Sequence, residues 1–211
     1  PAGAQTSEGT SATSASAVGT GVRMVSTEKL HTQGTLTNTE NSLDVAINGQ
    51  GFFQVLMPDG RVGYTRNGAF SQDATGLLST SNGYVLQPEI TIPPNTTQIS
   101  ISSDGIVTAN IAGAPDAQEL GQITIATFAN PRGLEPIGQN FLIETSASGN
   151  PVVLNPMQES SGSLVQGSLE TSNVNVVQEL VEMIEAQRAY EVNSKSISAS
   201  DEMMRYLSNN I

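Results

Sequence analysis

The chain has 211 residues and a formal net charge of −12 at pH 7, with no cysteine, no tryptophan and only 13% charged residues. That charge sets the electrostatic field against nucleic acid, and no five-residue basic run offsets it. The absence of thiols excludes disulfides and thiolate metal sites, and no apolar run nears the ~18 residues of a membrane span, so direct membrane insertion is not expected.

All of the first twenty residues except Pro1, Gln5, Glu8 and Val18 are Ser, Thr, Gly or Ala. Such a segment has too little apolar surface to offset its conformational entropy, so residues 1–20 read as a flexible tether. Residues 21–166 read as a mainly β, antiparallel domain of short strands and hairpins. Asn-Gly at Asn48-Gly49, Asn67-Gly68 and Asn82-Gly83, and Asp-Gly at Asp59-Gly60 and Asp104-Gly105, accept positive φ and are short hairpin signals. Between them lie the period-two runs Val45/Ile47, Phe53/Val55/Met57, Ile99/Ile101 and Ile123/Ile125, each placing its large side chains on one strand face. Asp116–Leu120 is the only stretch of this region with a short-helix reading. Pro93-Pro94, Pro115, Pro131, Pro136 and Pro156 fall between the runs, where no ladder hydrogen bond is lost.

The segment DVAINGQGFFQV (Asp44–Val55) offers two readings. Gly49 and Gly51 occupy the first two places of a dinucleotide fingerprint, but its third place is Gln54 and a strand-like Phe-Phe-Gln-Val follows, so no helix N-terminus would face a phosphate. The expected arrangement is a hairpin, with Asn48, Gly49 and Gly51 forming a tight turn or bulge that feeds Phe52 and Phe53 into a core.

Residues 167–211 read as a C-terminal helical assembly segment, making the chain α+β overall. From Asn175 onward there is neither Gly nor Pro, and Val176, Met183, Tyr190, Ile197, Met204 and Ile211 recur every seven residues. That interval draws one line of large side chains along a helix of about 55 Å. Asn175 is an N-cap, with Gln178 placed to reach back to it. Glu179, Glu182 and Glu185 complement the positive end of the helix dipole, and Glu191/Lys195 and Asp201/Arg205 are four apart with the acid first. Beside the line run Leu180, Gln187, Ser194 and Asp201, so the second seam is mostly polar. A helix buried on its own domain would show a wider apolar stripe, and the pattern therefore suits a helix that orders against partners. Val176, Leu180, Met183, Tyr190, Ile197, Met204 and Leu207 are the candidate assembly residues.

Signs of catalysis are sparse. The only histidine, His31, has Glu28 as its nearest acid, and no Gly-x-Ser-x-Gly supports a triad. The Asp-Gly sites lack a calcium loop's alternating ligands, and there is no tryptophan to stack a sugar beside paired carboxylates. No catalytic, cofactor-binding or metal residue is assigned, and no cofactor is expected.

LDVAINGQGFFQV (Leu43–Val55) and LETSNVNVVQELVEMIEAQRAYEVNSKSISASDEMM (Leu169–Met204) resemble the two signatures of the bacterial flagellar rod and hook proteins. The lead-in Gly19–Ile47 and the run QRAYEVNSK stand closer to the distal-rod branch than to the hook protein. The resemblance covers Gly19 to the end and implies a structural, non-enzymatic subunit of a helical homopolymer that acts as a drive shaft. It implies an N-terminal helix preceding Pro1, which pairs with the C-terminal helix to form the inner tube while the β-domain lies outside. It implies as partners the proximal rod proteins, the hook protein, the P-ring and L-ring proteins, the rod-cap protein and the type III export apparatus, with assembly across the periplasm. The family motif maps onto Asn173, Asn175, Gln187, Arg188 and Asn193, where the resemblance implies polar groups that fix helix register between subunits. The alternatives are another axial family member (hook or proximal rod), a secreted β-rich ligand-binding domain, and a hydrolase built on His31.

Overall fold

The computed structural model describes residues 5–7, 10–11, 29–113 and 116–209, with side chains described over 29–113 and 116–206. The chain divides into two units, Pro1–Leu30 and His31–Ile211. In the first, β1 (Gln5–Ser7) pairs antiparallel with β2 (Thr10–Ser11); the rest of the expected tether lies outside the described residues.

The second unit is rich in short antiparallel strands and ends in one long helix. Its strands are β3 (Leu36–Asn38), β4 (Val45–Asn48), β5 (Phe53–Leu56), β6 (Val62–Thr65), β7 (Phe70–Gln72), β8 (Leu78–Thr80), β9 (Val85–Gln87), β10 (Thr96–Ile101) and β11 (Ile106–Ile111). They continue through β12 (Gln118–Gln122), β13 (Ile125–Thr127), β14 (Glu135–Gly138), β15 (Phe141–Ile143), β16 (Val152–Leu154), β17 (Ser163–Gln166) and β18 (Ser168–Glu170) to α1 (Val176–Asn209). Seven strands form one sheet in the order β14-β15-β6-β5-β9-β8-β7; a second sheet is β10-β11-β12, and β13/β16, β17/β4 and β18/β3 form two-stranded pairs.

Three of the five turn dipeptides close hairpins. Asp59-Gly60 joins β5 to β6, Asn82-Gly83 joins β8 to β9, and Asp104-Gly105 joins β10 to β11. The other two correct the hairpin expectation. β4 pairs with β17, not with β5, so the Gly49–Gly51 segment carries the chain from one sheet to another. Asn67-Gly68 joins β6 to β7, which lie in the same seven-stranded sheet but do not pair with each other. At Gly68 an added Cβ would strike the carbonyl oxygen of Val45, and that close approach lets the Val45 N–H donate to the Gly68 carbonyl at 3.0 Å.

One open reading is resolved and one expectation is corrected. Gln118–Leu120, in the stretch with a helix reading, belongs to strand β12, whose pairing with β11 shifts register between Val107 and Thr108. Pro136 lies inside β14 rather than between strands, but β14 is an edge strand whose register slips beside that proline, so the missing N–H costs no central ladder bond.

The period-two runs converge on one core. Val45, Ile47, Phe53, Ile101, Ile123 and Ile125 pack with Phe70, Leu78, Leu86, Ile90, Ile92, Val107 and Leu164, and Ile99 lies partly buried against them. Phe53 and Phe70 meet edge to face at 5.1 Å. Each fully buried side chain of this size contributes about 1.5–3 kcal/mol. A smaller cluster gathers Phe52, Tyr64, Ala126, Leu134 and Leu142 around Phe128.

Burial, and then the nearby Glu144 carboxylate, pushes the Tyr64 hydroxyl up to about 12. The folded state holds this proton more tightly than the unfolded chain, whose tyrosines titrate near 10. The stabilisation is therefore complete below about pH 10 and is lost as pH rises towards about 12. Urea midpoints measured from pH 9 to 12 should fall less steeply in Tyr64→Phe than in the parent chain. Equal slopes would show that Tyr64 is not the titrating group.

Candidate functional site

The chain enters and leaves the β-domain side by side. β3 pairs with β18 through Leu36↔Glu170, Thr37↔Leu169 and Asn38↔Ser168. The pairing continues past the strands towards the helix. The Thr171 N–H and hydroxyl both donate to the Thr35 carbonyl at 2.9 and 3.0 Å, and Asn173 Nδ2 donates to the Thr32 carbonyl and hydroxyl oxygens at 3.0 and 2.8 Å. Residues 32–35 and 171–173 thus form a double-stranded neck. At Gly34 an added Cβ would collide with the Thr171 carbonyl oxygen, so only glycine lets the strands approach this closely. β18 extends the β-structure four residues beyond Gln166, into the segment expected to be helical.

At the base of the neck sits Arg66, at the end of β6. Its Nε donates to Glu170 Oε2 at 2.7 Å. Its Nη1 donates to the carbonyls of Gly49 and Gly51, and its Nη2 to those of Ile47 and Gly49, at 3.1–3.3 Å. All five N–H donors of the guanidinium are thereby engaged. Glu170 Oε1 accepts the Gly34 N–H at 2.8 Å. The two side chains are 20% and 10% exposed. The guanidinium carbon also lies 6.0 Å from the ring centroid of Phe52, against which His31 packs edge-on at 5.8 Å. Gln33 completes the arrangement by accepting the Gly49 N–H at 3.0 Å.

Gly49 and Gly51 are therefore neither a phosphate loop nor a hairpin turn: they present carbonyls as a socket for an arginine. Both have positive φ, +119° and +133°, and an added Cβ at Gly51 would run into Ile125 Cγ2. Gly51→Ala should cost about 2–3 kcal/mol, combining backbone strain with a clash. Gly83→Ala, where φ is +81° but nothing lies within 4 Å, should cost only about 1 kcal/mol. Urea unfolding of the two variants reads the difference. The socket was missed in sequence because Arg66 is nineteen residues from Ile47 and 104 from Glu170.

Asn175 caps α1: its side-chain oxygen accepts the N–H groups of Val177 and Gln178 at 3.1 and 3.4 Å. Gln178 does not reach back, and its amide instead donates to Glu182 at 3.2 Å. The 34-residue helix spans about 51 Å. From Thr171 to Tyr206 every residue is exposed, including Leu180 at 51%, Tyr190 at 77% and Met204 at 72%. Val176, Met183 and Ile197 stand equally open, as do Gln187, Arg188 and Asn193. Ile211 and the side chain of Leu207 lie outside the described residues. Among the described residues neither Glu191–Lys195 nor Asp201–Arg205 closes as an ion pair; the closed pairs are Arg61–Asp59 and Arg66–Glu170.

The helical geometry adds residues that a seven-residue line misses. At ~100° per residue, Val176, Val177, Leu180, Val181, Met183 and Ile184 fall on one arc of roughly 160°, with Glu179, Glu182 and Glu185 opposite. Val177, Val181 and Ile184 are exposed at 70%, 49% and 49%. Beyond Ile184 the seven-residue line continues through Tyr190, Ile197 and Met204, while the exposed Val192, Met203 and Tyr206 lie off it. Among the described residues no group of His, Asp or Glu is placed to hold a metal, and no helix is long and apolar enough to cross a membrane.

Residues 46–109 match the family model described as the flagellar hook protein FlgE/F/G D1 domain, and residues 165–210 that of the flagellar basal body rod FlgEFG protein C-terminal. The chain is 52% identical over 207 residues to the flagellar basal-body rod protein FlgG of Buchnera aphidicola subsp. Schizaphis graminum, covering 98% of this chain and 80% of that protein. The chain belongs to the flagellar basal-body rod protein family. FlgG of Buchnera aphidicola subsp. Acyrthosiphon pisum is 51% identical over the same shares. FlgG of Agrobacterium fabrum is 48% identical over 194 residues, covering 92% of this chain and 74% of that protein. The chain is thus a structural subunit of the flagellar distal rod, placed in the basal body, and its relatives are structural proteins.

Proposed function

We propose that α1 is the polymerising element of this rod subunit: copies pack through its exposed apolar face into a tubular drive shaft that passes torque from motor to hook, with the β-domain outside. The observation that supports this is a helix exposed at every residue from Val176 to Tyr206 while carrying a wide apolar face over its first three turns. An uncovered face of this kind is what a surface kept for partners presents. The protein works without catalysis and without a cofactor. Its axial neighbours are the proximal rod proteins and the hook protein. Around and ahead of the growing rod it meets the P-ring and L-ring proteins, the rod-cap protein and the type III export apparatus. Within α1, Gln187, Arg188 and Asn193 set register between copies, whereas Asn173 and Asn175 serve the neck and the cap.

An isolated solvated helix is marginal even at this length, because its stability in proteins comes mainly from packing. In dilute monomer the amides of Val176–Tyr206 should exchange on the scale of seconds to minutes while those of Phe53, Val55 and Val107 stay protected for hours or longer. In assembled rods α1 should become protected. Helix amides as slow as the core in the monomer would overturn the reading, because the helix would then be folded without partners.

A further inference from the structure

We propose that Arg66 and Glu170 form a mechanical joint that holds the neck closed and carries load between α1 and the β-domain. The one carboxylate serves three parts of the chain. It stands on the outgoing strand β18, accepts the Gly34 N–H of the incoming strand at 2.8 Å, and binds Arg66 of the domain at 2.7 Å. Arg66 in turn grips the Ile47–Gly51 segment through four N–H groups. That segment continues directly into β4 and β5, whose Val45, Ile47 and Phe53 are fully buried. Force applied to α1 therefore passes through Asn173 and Thr171 to Glu170, then through Arg66 into the core.

Beside the backbone bond from the Thr171 N–H to the Thr35 carbonyl, the other side-chain ties across the neck are weaker by construction. The Asn173–Thr32 bonds and the Thr171 hydroxyl bond are exposed, where water competes for the same groups. The Arg66–Glu170 bond is charge-assisted and largely screened from water. Lysine cannot substitute: it has three donors on a point charge, against five in a planar fork that meets three carbonyls and a carboxylate together. Closure of the neck stands on this geometry alone; the load it carries rests on the reading of α1 as the polymerising element.

Site-resolved hydrogen exchange on the purified chain tests the joint, with Glu170→Gln as a near-isosteric variant and Arg66→Lys as one that keeps the charge but loses the planar fork. The Gly34 and Thr171 amides should exchange about 10-fold faster than in the parent chain, a larger acceleration than that of Phe53, Val55 and Val107. Unchanged neck amides would overturn the proposal, and so would an equal acceleration of neck and core, which marks an ordinary core contact. In cells expressing the full-length protein, rods bearing Glu170→Gln should reach normal length and yet fail to drive swimming in viscous medium. Parental speed there would overturn the load-carrying role. The exchange measurement uses monomer, so it stands even if α1 proves not to polymerise.

Discussion

Replacing Arg66 with leucine should destabilise the β-domain by about 3–5 kcal/mol, the range for removing one partner of a buried ion pair. The substitution leaves the Glu170 carboxylate, 10% exposed, with the Gly34 N–H but without its cation. It also takes every side-chain donor in the socket away from the Gly49 and Gly51 carbonyls. A carbonyl left unpaired in a shielded place costs about 1–3 kcal/mol, so the two effects compound. The double variant Arg66→Leu/Glu170→Leu should be less destabilised than the sum of the two singles by at least ~1 kcal/mol, since it no longer buries an uncompensated charge. Urea unfolding of the four species closes the cycle. Strict additivity would mean that the pair contributes only packing.

Sequence reasoning was strong where structure is local. The runs through Val45, Phe53 and Ile123 located the core, because alternation reports which face of a strand is dry without reference to its partner. Asp59-Gly60, Asn82-Gly83 and Asp104-Gly105 closed hairpins because their strands are neighbours in both sequence and space. Asn48-Gly49 and Asn67-Gly68 have the same chemistry and do something else. A positive-φ dipeptide states that the backbone turns; it does not state which strand waits on the other side. In this fold β17 takes the place beside β4, and that pairing is decided about 115 residues downstream.

The same limit hid the joint. Arg66 sits next to an Asn-Gly turn and carries no sequence mark of burial, and Glu170 lies in a run that reads as the approach to a helix. Only the close passage of the neck strands, which Gly34 permits, puts them together. The helix shows the opposite case. Its cap at Asn175 and its continuous length were legible because helices are built from contacts within four residues. The breadth of its apolar face was legible too, but only on a 3.6-residue wheel: a strict seven-residue line passes Val177, Val181 and Ile184 by.

That breadth carries the last prediction. Leu180→Asp combined with Ile184→Asp, placed in the full-length protein, should abolish rod formation and motility while leaving monomer stability within about 0.5 kcal/mol. In the monomer both side chains already face water at about half their area (51% and 49%), so the charges meet no burial cost there. In a polymer each copy buries them, forgoing about 1.5–3 kcal/mol per apolar side chain and adding the cost of desolvating an unpaired carboxylate. A loss of that size recurs at every subunit, and a filament held by repeated shallow contacts cannot absorb it. Glu182→Gln, on the opposite face, changes charge without entering the apolar arc and should assemble normally. Electron microscopy of purified basal bodies together with swimming assays separates the cases. Rods of normal length from the double aspartate variant would place the polymer contact elsewhere than on the first three turns of α1. Failure of Glu182→Gln alone would place it on the acidic face.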